Sequence, residues 1–186
     1  MKIGVMGDKG SFSEEAAIQY AQENEIKHYE IKYLINADPV LKNLTSSAID
    51  IGIFPVQNST GGIVEEAMHA MAKYSFTIKD IFSMDIRLCL MCKAGQAKED
   101  IKKIVSHPQP FKQAKNYLAE NYKDAEKIEG KDTAKAAKDL SNGEFDDETA
   151  IIASKRCAEI YGLQILHENI QDLKFNVTTF LAVVKE

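Results

Sequence analysis

Short apolar runs alternate with amphipathic stretches along the whole chain. "KIGVMG", "KHYEIKYL" and "IDIGIFPV" are dense in β-branched and aromatic residues and predict three strands. Between them, "SFSEEAAIQYAQEN" predicts a helix capped by Ser11 or Ser13, with Glu14 placed to complete a capping box with Ser11. "ADPVLKNLTSSA" predicts a second helix with Asp38 as N-cap and Pro39 at the first helical position. The polar turn "QNSTGG" then leads into the helix "IVEEAMHAMAKY".

The alternation restarts near Phe76. "FTIKDIF", "DIRLCLMC" and "IKKIVSH" predict strands, and "PQPFKQAKNYLAENY" predicts one helix with proline in its first turn. The short strand "AEKIEG", the helix "DTAKAAKDLSN", the acidic turn "GEFDDET" and the strand "AIIAS" follow. "KRCAEIYG" predicts a helix closed by Gly162, and "LQILHENI" and "TTFLAVV" are the last strands. Such alternation implies an α/β protein with a mainly parallel sheet, and two successions plus a terminal strand suggest two lobes with a cleft between them. Ligands of open α/β sheets bind beyond the carboxyl ends of strands, which directs attention to the strand-to-helix loops.

Composition narrows the function. The chain has 186 residues and a formal net charge of −5, so nucleic acid is not an expected partner. No apolar run is long enough to span a bilayer and no secretion signal is read at the N-terminus, so a cytoplasmic protein without membrane partners is expected. Three cysteines, Cys89, Cys92 and Cys157, argue against a disulfide framework. "CLMC" invites a redox or metal reading, but it sits in a predicted strand and has no second ligand pair, so core packing is the favoured alternative. His28, His69, His107 and His167 lack metal-ligand spacing, and no metal is expected.

Four junctions share one chemical character: "GDKGSFS" (7–13), "PVQNSTGG" (55–62), "SHPQP" (106–110) and "GKDTA" (130–134). Each brings small hydroxyls or amides to a helix start, where unpaired N–H groups favour anions. Taken singly, each reads first as an ordinary cap. "QNSTGG" is notable in placing four uncharged hydrogen-bonding side chains in a row. The glycine spacing in "GVMGDKGSF" fits neither phosphate-loop nor dinucleotide fingerprints, so no nucleotide cofactor is expected.

"GDKGSFSEEAA", "GIFPVQNSTGG", "SHPQPFKQ", "DTAKAA", "AIIASKRCAEIYGLQIL" and "NVTTF" occur in an order that resembles the catalytic domain of the prephenate dehydratases over essentially the whole chain. The resemblance implies two α/β lobes of the periplasmic-binding-protein type II architecture. We expect residues 1–76 with 166–186 in the first lobe and 77–165 in the second. It implies decarboxylating dehydration of prephenate to phenylpyruvate, a lyase reaction of phenylalanine biosynthesis needing no cofactor. The alternatives are a non-aromatising prephenate decarboxylase and a non-catalytic small-carboxylate sensor. Aligned on Phe180, Thr178 takes the place of the family's catalytic threonine. The substrate-binding set implied by the matched motifs and junctions is Ser11, Phe12, Asn58, Ser59, Thr60, Gly61, Ser106, His107, Thr133, Thr179 and Phe180. The chain departs from the family pattern at Thr179, where arginine is usual, at Gln57 and Gly61, where glutamate is usual, and at Leu88, where histidine is common. A homodimer or higher homo-oligomer is expected. Because the sequence stops at Glu186, no regulatory ACT domain is expected, and activity should be flat in phenylalanine.

Overall fold

The computed structural model describes residues 1–186. In chain order the elements are β1 (Lys2–Val5), α1 (Phe12–Glu23), β2 (Glu30–Tyr33), α2 (Ala37–Thr45), β3 (Ile51–Asn58), β4 (Gly62–Ile63), α3 (Glu65–Met71), β5 (Thr77–Asp85) and β6 (Cys89–Cys92). They continue with β7 (Lys103–Ser106), α4 (Pro108–Gln113), α5 (Lys115–Asn121), β8 (Glu126–Glu129), α6 (Thr133–Ser141), β9 (Thr149–Ala153), α7 (Lys155–Tyr161), β10 (Gln164–His167) and β11 (Val177–Val184). None of the helices is long and apolar enough to cross a membrane. The chain forms two compact units: Met1–Asp8, Phe12–Asp85 and Val177–Glu186 make the first, Lys9–Ser11 and Ile86–Asn176 the second.

The first unit is built on a sheet of order β2-β1-β3-β11-β5, with β4 paired to β3. β1 runs parallel to β2 and β3, whereas β11 is antiparallel to both β3 and β5. The sheet is therefore mixed rather than mainly parallel. The strand that closes it arrives only after the whole second unit, so its direction is set by that long return and not by a βαβ crossover. The pairing of β5 with β11 also explains why the division falls after Asp85 and after Asn176 instead of after 76 and 165.

Buried apolar positions Ala37, Val40, Leu41 and Leu44 form one helical face of α2, packed with Ile49, Phe54, Leu181 and Val183. With Ala37 buried, the helix starts two residues ahead of the expected Asp38 cap and Pro39 start. Asn36 holds the N-cap position without a side-chain cap bond, and Asp38 instead accepts from Lys73 Nζ at 2.8 Å. The register sets Gly4 beside Gly52, and a Cβ on Gly52 would lie 2.8 Å from Val40 Cγ1, so α2 sits closer to the strands than any side chain there would permit.

The second unit has a sheet of order β10-β6-β9-β7-β8, again mixed: β7 is parallel to β8 and β9, while β6 is antiparallel to β9 and β10. Cys89 and Cys157 lie in its apolar core with Met91, Ile151 and Leu140. Cys92 is buried on the same strand as Cys89, and burial, then the Asp100 charge, pushes its thiol pKa up. Gly162 takes φ 65° at the end of α7, the left-handed cap expected from its sequence position. The expected single helix after Ser106 is two, broken at Ala114 (φ −113°, ψ 24°). The break is held from a distance: the Asp172 carboxylate accepts Asn116 N–H at 2.9 Å and Tyr117 N–H at 3.0 Å, and Asp172 N–H donates to Gln113 O at 2.7 Å. An acidic cap 55 residues away along the chain satisfies the first turn of α5.

Lys9–Ser11 belongs to the second unit because α7 grips it. Ser154 Oγ and Cys157 Sγ donate to Gly10 O at 2.8 and 3.2 Å, and Tyr161 Oη donates to Lys9 O at 2.9 Å. Gly10 has φ 91°, and a Cβ there would stand 2.7 Å from Cys157 Sγ. Both strain and clash oppose a side chain, so Gly10→Ala should lower unfolding free energy by about 2 kcal/mol in urea titrations. A change within about 0.5 kcal/mol would show that the loop yields freely.

Candidate functional site

The end of β3 and the start of β11 form an uncharged polar constellation in the first unit. Gln57 and Asn58 pair with Ile63 and Gly62, so β3 and β4 make a hairpin whose tip is Ser59, Thr60 and Gly61. Gly62 takes φ 77° as the chain re-enters the ladder. The Asn58 side chain organises this tip: its Oδ1 accepts Thr60 N–H at 2.9 Å and Gly61 N–H at 2.8 Å, an Asx turn.

That anchoring fixes which end of the amide faces β11. With Oδ1 occupied by two backbone donors, Nδ2 points the other way and donates to Thr178 Oγ1 at 2.9 Å and toward Val177 O at 3.4 Å. Thr178 is directly opposite Asn58 in the ladder, and the two are only 7 % and 8 % exposed. Thr178 thus accepts a hydrogen bond but makes none as a donor, and its proton remains available to an incoming group. The partner of the Thr178 hydroxyl is an uncharged amide. On α1, burial and then the Asp80 charge raise the Tyr20 pKa, and its ring lies 5.6 Å from Phe82.

Thr179 points the other way, as strand alternation expects. It pairs with Ser83 across β5, with the hydroxyl oxygens 3.3 Å apart on the exposed side. Phe180, expected to touch substrate, is 1 % exposed and stacks on Phe82 at 5.8 Å, which makes it a core side chain. Phe12 opens α1, half-buried, and Ser59 through Gly61 are exposed.

Within the second unit, Ser11 is 6 % exposed next to Gly10, and Ser106 is fully buried at the end of β7. Ser106 Oγ donates to Ile152 O at 2.9 Å, tying β7 to β9, so it offers a ligand only lone pairs. His107 is exposed and caps α4, its Nδ1 accepting Gln109 N–H at 3.2 Å. Thr133 starts α6, where the capping is done by Asp132, whose Oδ1 accepts Lys135 N–H at 2.6 Å. The expectation that several hydroxyls and amides offer free donors is therefore corrected for Asn58 and Ser106, whose donors are already engaged inside the fold.

Three buried polar residues stand outside the set expected from sequence. Gln113 Nε2 donates to Asn176 Oδ1 at 3.1 Å, and Asn176 Nδ2 donates to Ile86 O at 3.2 Å. Gln113 closes the motif "SHPQPFKQ" and Asn176 opens "NVTTF", which was the available signal. Glu14, 2 % exposed on α1, accepts from Tyr33 Oη at 2.7 Å.

Comparison with known proteins places the chain in a family. The family model for prephenate dehydratase matches residues 3–186. A curated relative, arogenate dehydratase/prephenate dehydratase 1, chloroplastic, of Arabidopsis thaliana is 34 % identical over all of this chain and 45 % of its own length. The chain spans about half the length of the first curated relatives it matches. The crystal structure of prephenate dehydratase in complex with L-Phe from Arthrobacter aurescens superposes with a TM-score of 0.89 at 25 % identity, covering all of this chain and 60 % of that one. A periplasmic substrate-binding protein of an ABC transporter from Coxiella burnetii, TM-score 0.52 and 17 % identity, covers 97 % of this chain and 84 % of that one and shares the fold alone. With two mixed α/β sheets of the periplasmic-binding-protein type II class and a family model that matches nearly its whole length, the chain belongs to the prephenate dehydratase family.

Proposed function

We propose that the chain catalyses the decarboxylating dehydration of prephenate to phenylpyruvate, with Thr178 as the hydrogen-bond donor to the departing ring hydroxyl. The observation that carries this reading is the one-sided bonding of Thr178: it accepts from Asn58 Nδ2 and keeps its own proton unbound. In the reaction the bond between the ring and its carboxylate breaks and CO2 departs. The electron pair enters the ring, which becomes aromatic, and the opposite C–O bond breaks. Hydroxide leaves and is protonated to water, the proton coming from solvent. Aromatisation supplies the driving force, and the enzyme's task is to stabilise charge on the leaving oxygen. A threonine hydroxyl is too weak an acid to give its proton up fully, but a donor polarised by an amide suits a developing oxyanion.

The test is product identification after incubation with prephenate. Phenylpyruvate with equimolar CO2 is the expected result. A dihydroaromatic hydroxy acid would identify a decarboxylase, an outcome to which the loss of a cation at Thr179 gives specific motive. Saturable binding without turnover would identify a sensor.

A further inference from the structure

Ser59 stands where β3 leaves the ladder, and its bonds differ from those of a strand residue. Ser59 N–H donates to Val177 O at 2.8 Å, as an antiparallel rung requires. The reciprocal rung, from Val177 N–H, goes to the Ser59 hydroxyl at 3.0 Å. The Asn58 turn rotates the chain into the hairpin tip at this residue, and the hydroxyl stands in for a backbone carbonyl. Two bonds from Ser59 therefore hold Val177, the residue immediately before Thr178, beside the longer contact from Asn58 Nδ2, and the one that engages Val177 N–H depends on the side chain of an exposed serine 118 residues away along the chain.

We propose that Ser59 is a positioning residue, whose hydroxyl completes the last rung between β3 and β11 and so sets the height and direction of the Thr178 hydroxyl. The proposal rests on the reading of Thr178 as the donor to the leaving group. Without the Ser59 oxygen, Val177 N–H loses its partner and the first rung of β11 frays at the residue adjoining the donor. Misplacement of a catalytic group by about 1 Å lowers rate on the order of a hundredfold, so partial fraying should be felt in kcat. Substrate affinity carried by other groups should be untouched.

The experiment compares Ser59→Ala and Ser59→Thr, each alone and combined with Thr178→Ala, using prephenate turnover and thermal unfolding. Ser59→Ala is expected to lower kcat about tenfold with KM within about twofold, and Ser59→Thr, which keeps the oxygen, to recover most of the rate. In the Thr178→Ala background Ser59→Ala should cost nothing further, because there is no longer a hydroxyl to aim. Should Ser59→Ala fail to fold, Ser59→Cys, a poorer acceptor of similar size, should show the same kcat loss in milder form. An equal further loss in the Thr178→Ala background would mark Ser59 as merely structural, and a raised KM with unchanged kcat would mark it as a substrate contact; either overturns the proposal. Full rate in Thr178→Ala alone would instead overturn the underlying catalytic reading. Loss there beside an unchanged Ser59→Ala overturns only the positioning role.

Discussion

Thr178→Ala should lower kcat about a hundredfold or more, on the order of 3 kcal/mol of transition-state stabilisation, while leaving the fold in place. The argument is directional. Thr178 Oγ1 receives the Asn58 amide at 2.9 Å, so its own hydrogen is turned away from Asn58. Alanine removes that hydrogen, and the departing oxygen then carries its charge without a donor. Thr178→Ser keeps the hydroxyl but loses the methyl that restricts χ1, so intermediate activity is expected. Thr179→Ala is the matched control. Its hydroxyl is 3.3 Å from Ser83 on the exposed face and should be worth less than about threefold in kcat/KM, the effect of a weak surface hydrogen bond. Steady-state kinetics on the three variants, with melting temperatures alongside, decide the matter. A fully active Thr178→Ala enzyme would remove this hydroxyl from the chemistry.

Much of this was legible from residue pattern, and the failures have physical causes. Alternation along "NVTTF" predicts opposite faces for Thr178 and Thr179, and their partners on β3 and β5 differ accordingly. The same alternation puts Phe180 on the face of Thr178, yet Phe180 lies two residues deeper and is sealed by Phe82. Parity along a strand gives the face and not the depth. Cap chemistry marked Gly162 correctly but misplaced the start of α2, where burial of Ala37 outweighed the Asp38 signal. The break at Ala114 was invisible because Asp172, its cap, is remote in sequence. Strand direction failed for a related reason: β11 enters between β3 and β5 from a distant return, and no local pattern records that. At the candidate site, "QNSTGG" forms the hairpin tip between β3 and β4. Its asparagine, expected to bind a carboxylate, instead divides its two ends between the turn and Thr178.

That division predicts an unusual result for Asn58→Asp. The new carboxylate is nearly isosteric, and one oxygen still accepts Thr60 and Gly61 N–H, so the hairpin tip should persist. The other oxygen replaces Nδ2 and faces Thr178 Oγ1 across the same 2.9 Å. Two acceptors cannot share that distance unless the threonine turns its proton toward the carboxylate, which removes it from the substrate. A negative charge is also introduced beside a dianion. Both effects act in one direction, and kcat/KM at neutral pH should fall on the order of a thousandfold, more than for Thr178→Ala. The loss should be partly reversible with pH. Once the introduced carboxyl is protonated its O–H can donate to Thr178 as the amide did, so the variant's activity should rise as pH falls through that pKa, after subtraction of the uncatalysed reaction. The parent protein has no such group at this point and should show no acid-side gain. Asn58→Ala, by contrast, loses both ends at once and should be impaired at every pH, with a lower melting temperature from the unpaired turn. If Asn58→Asp kept wild-type kcat at neutral pH, the amide would not be orienting the Thr178 hydroxyl, and the bonding of this pair would carry no catalytic meaning.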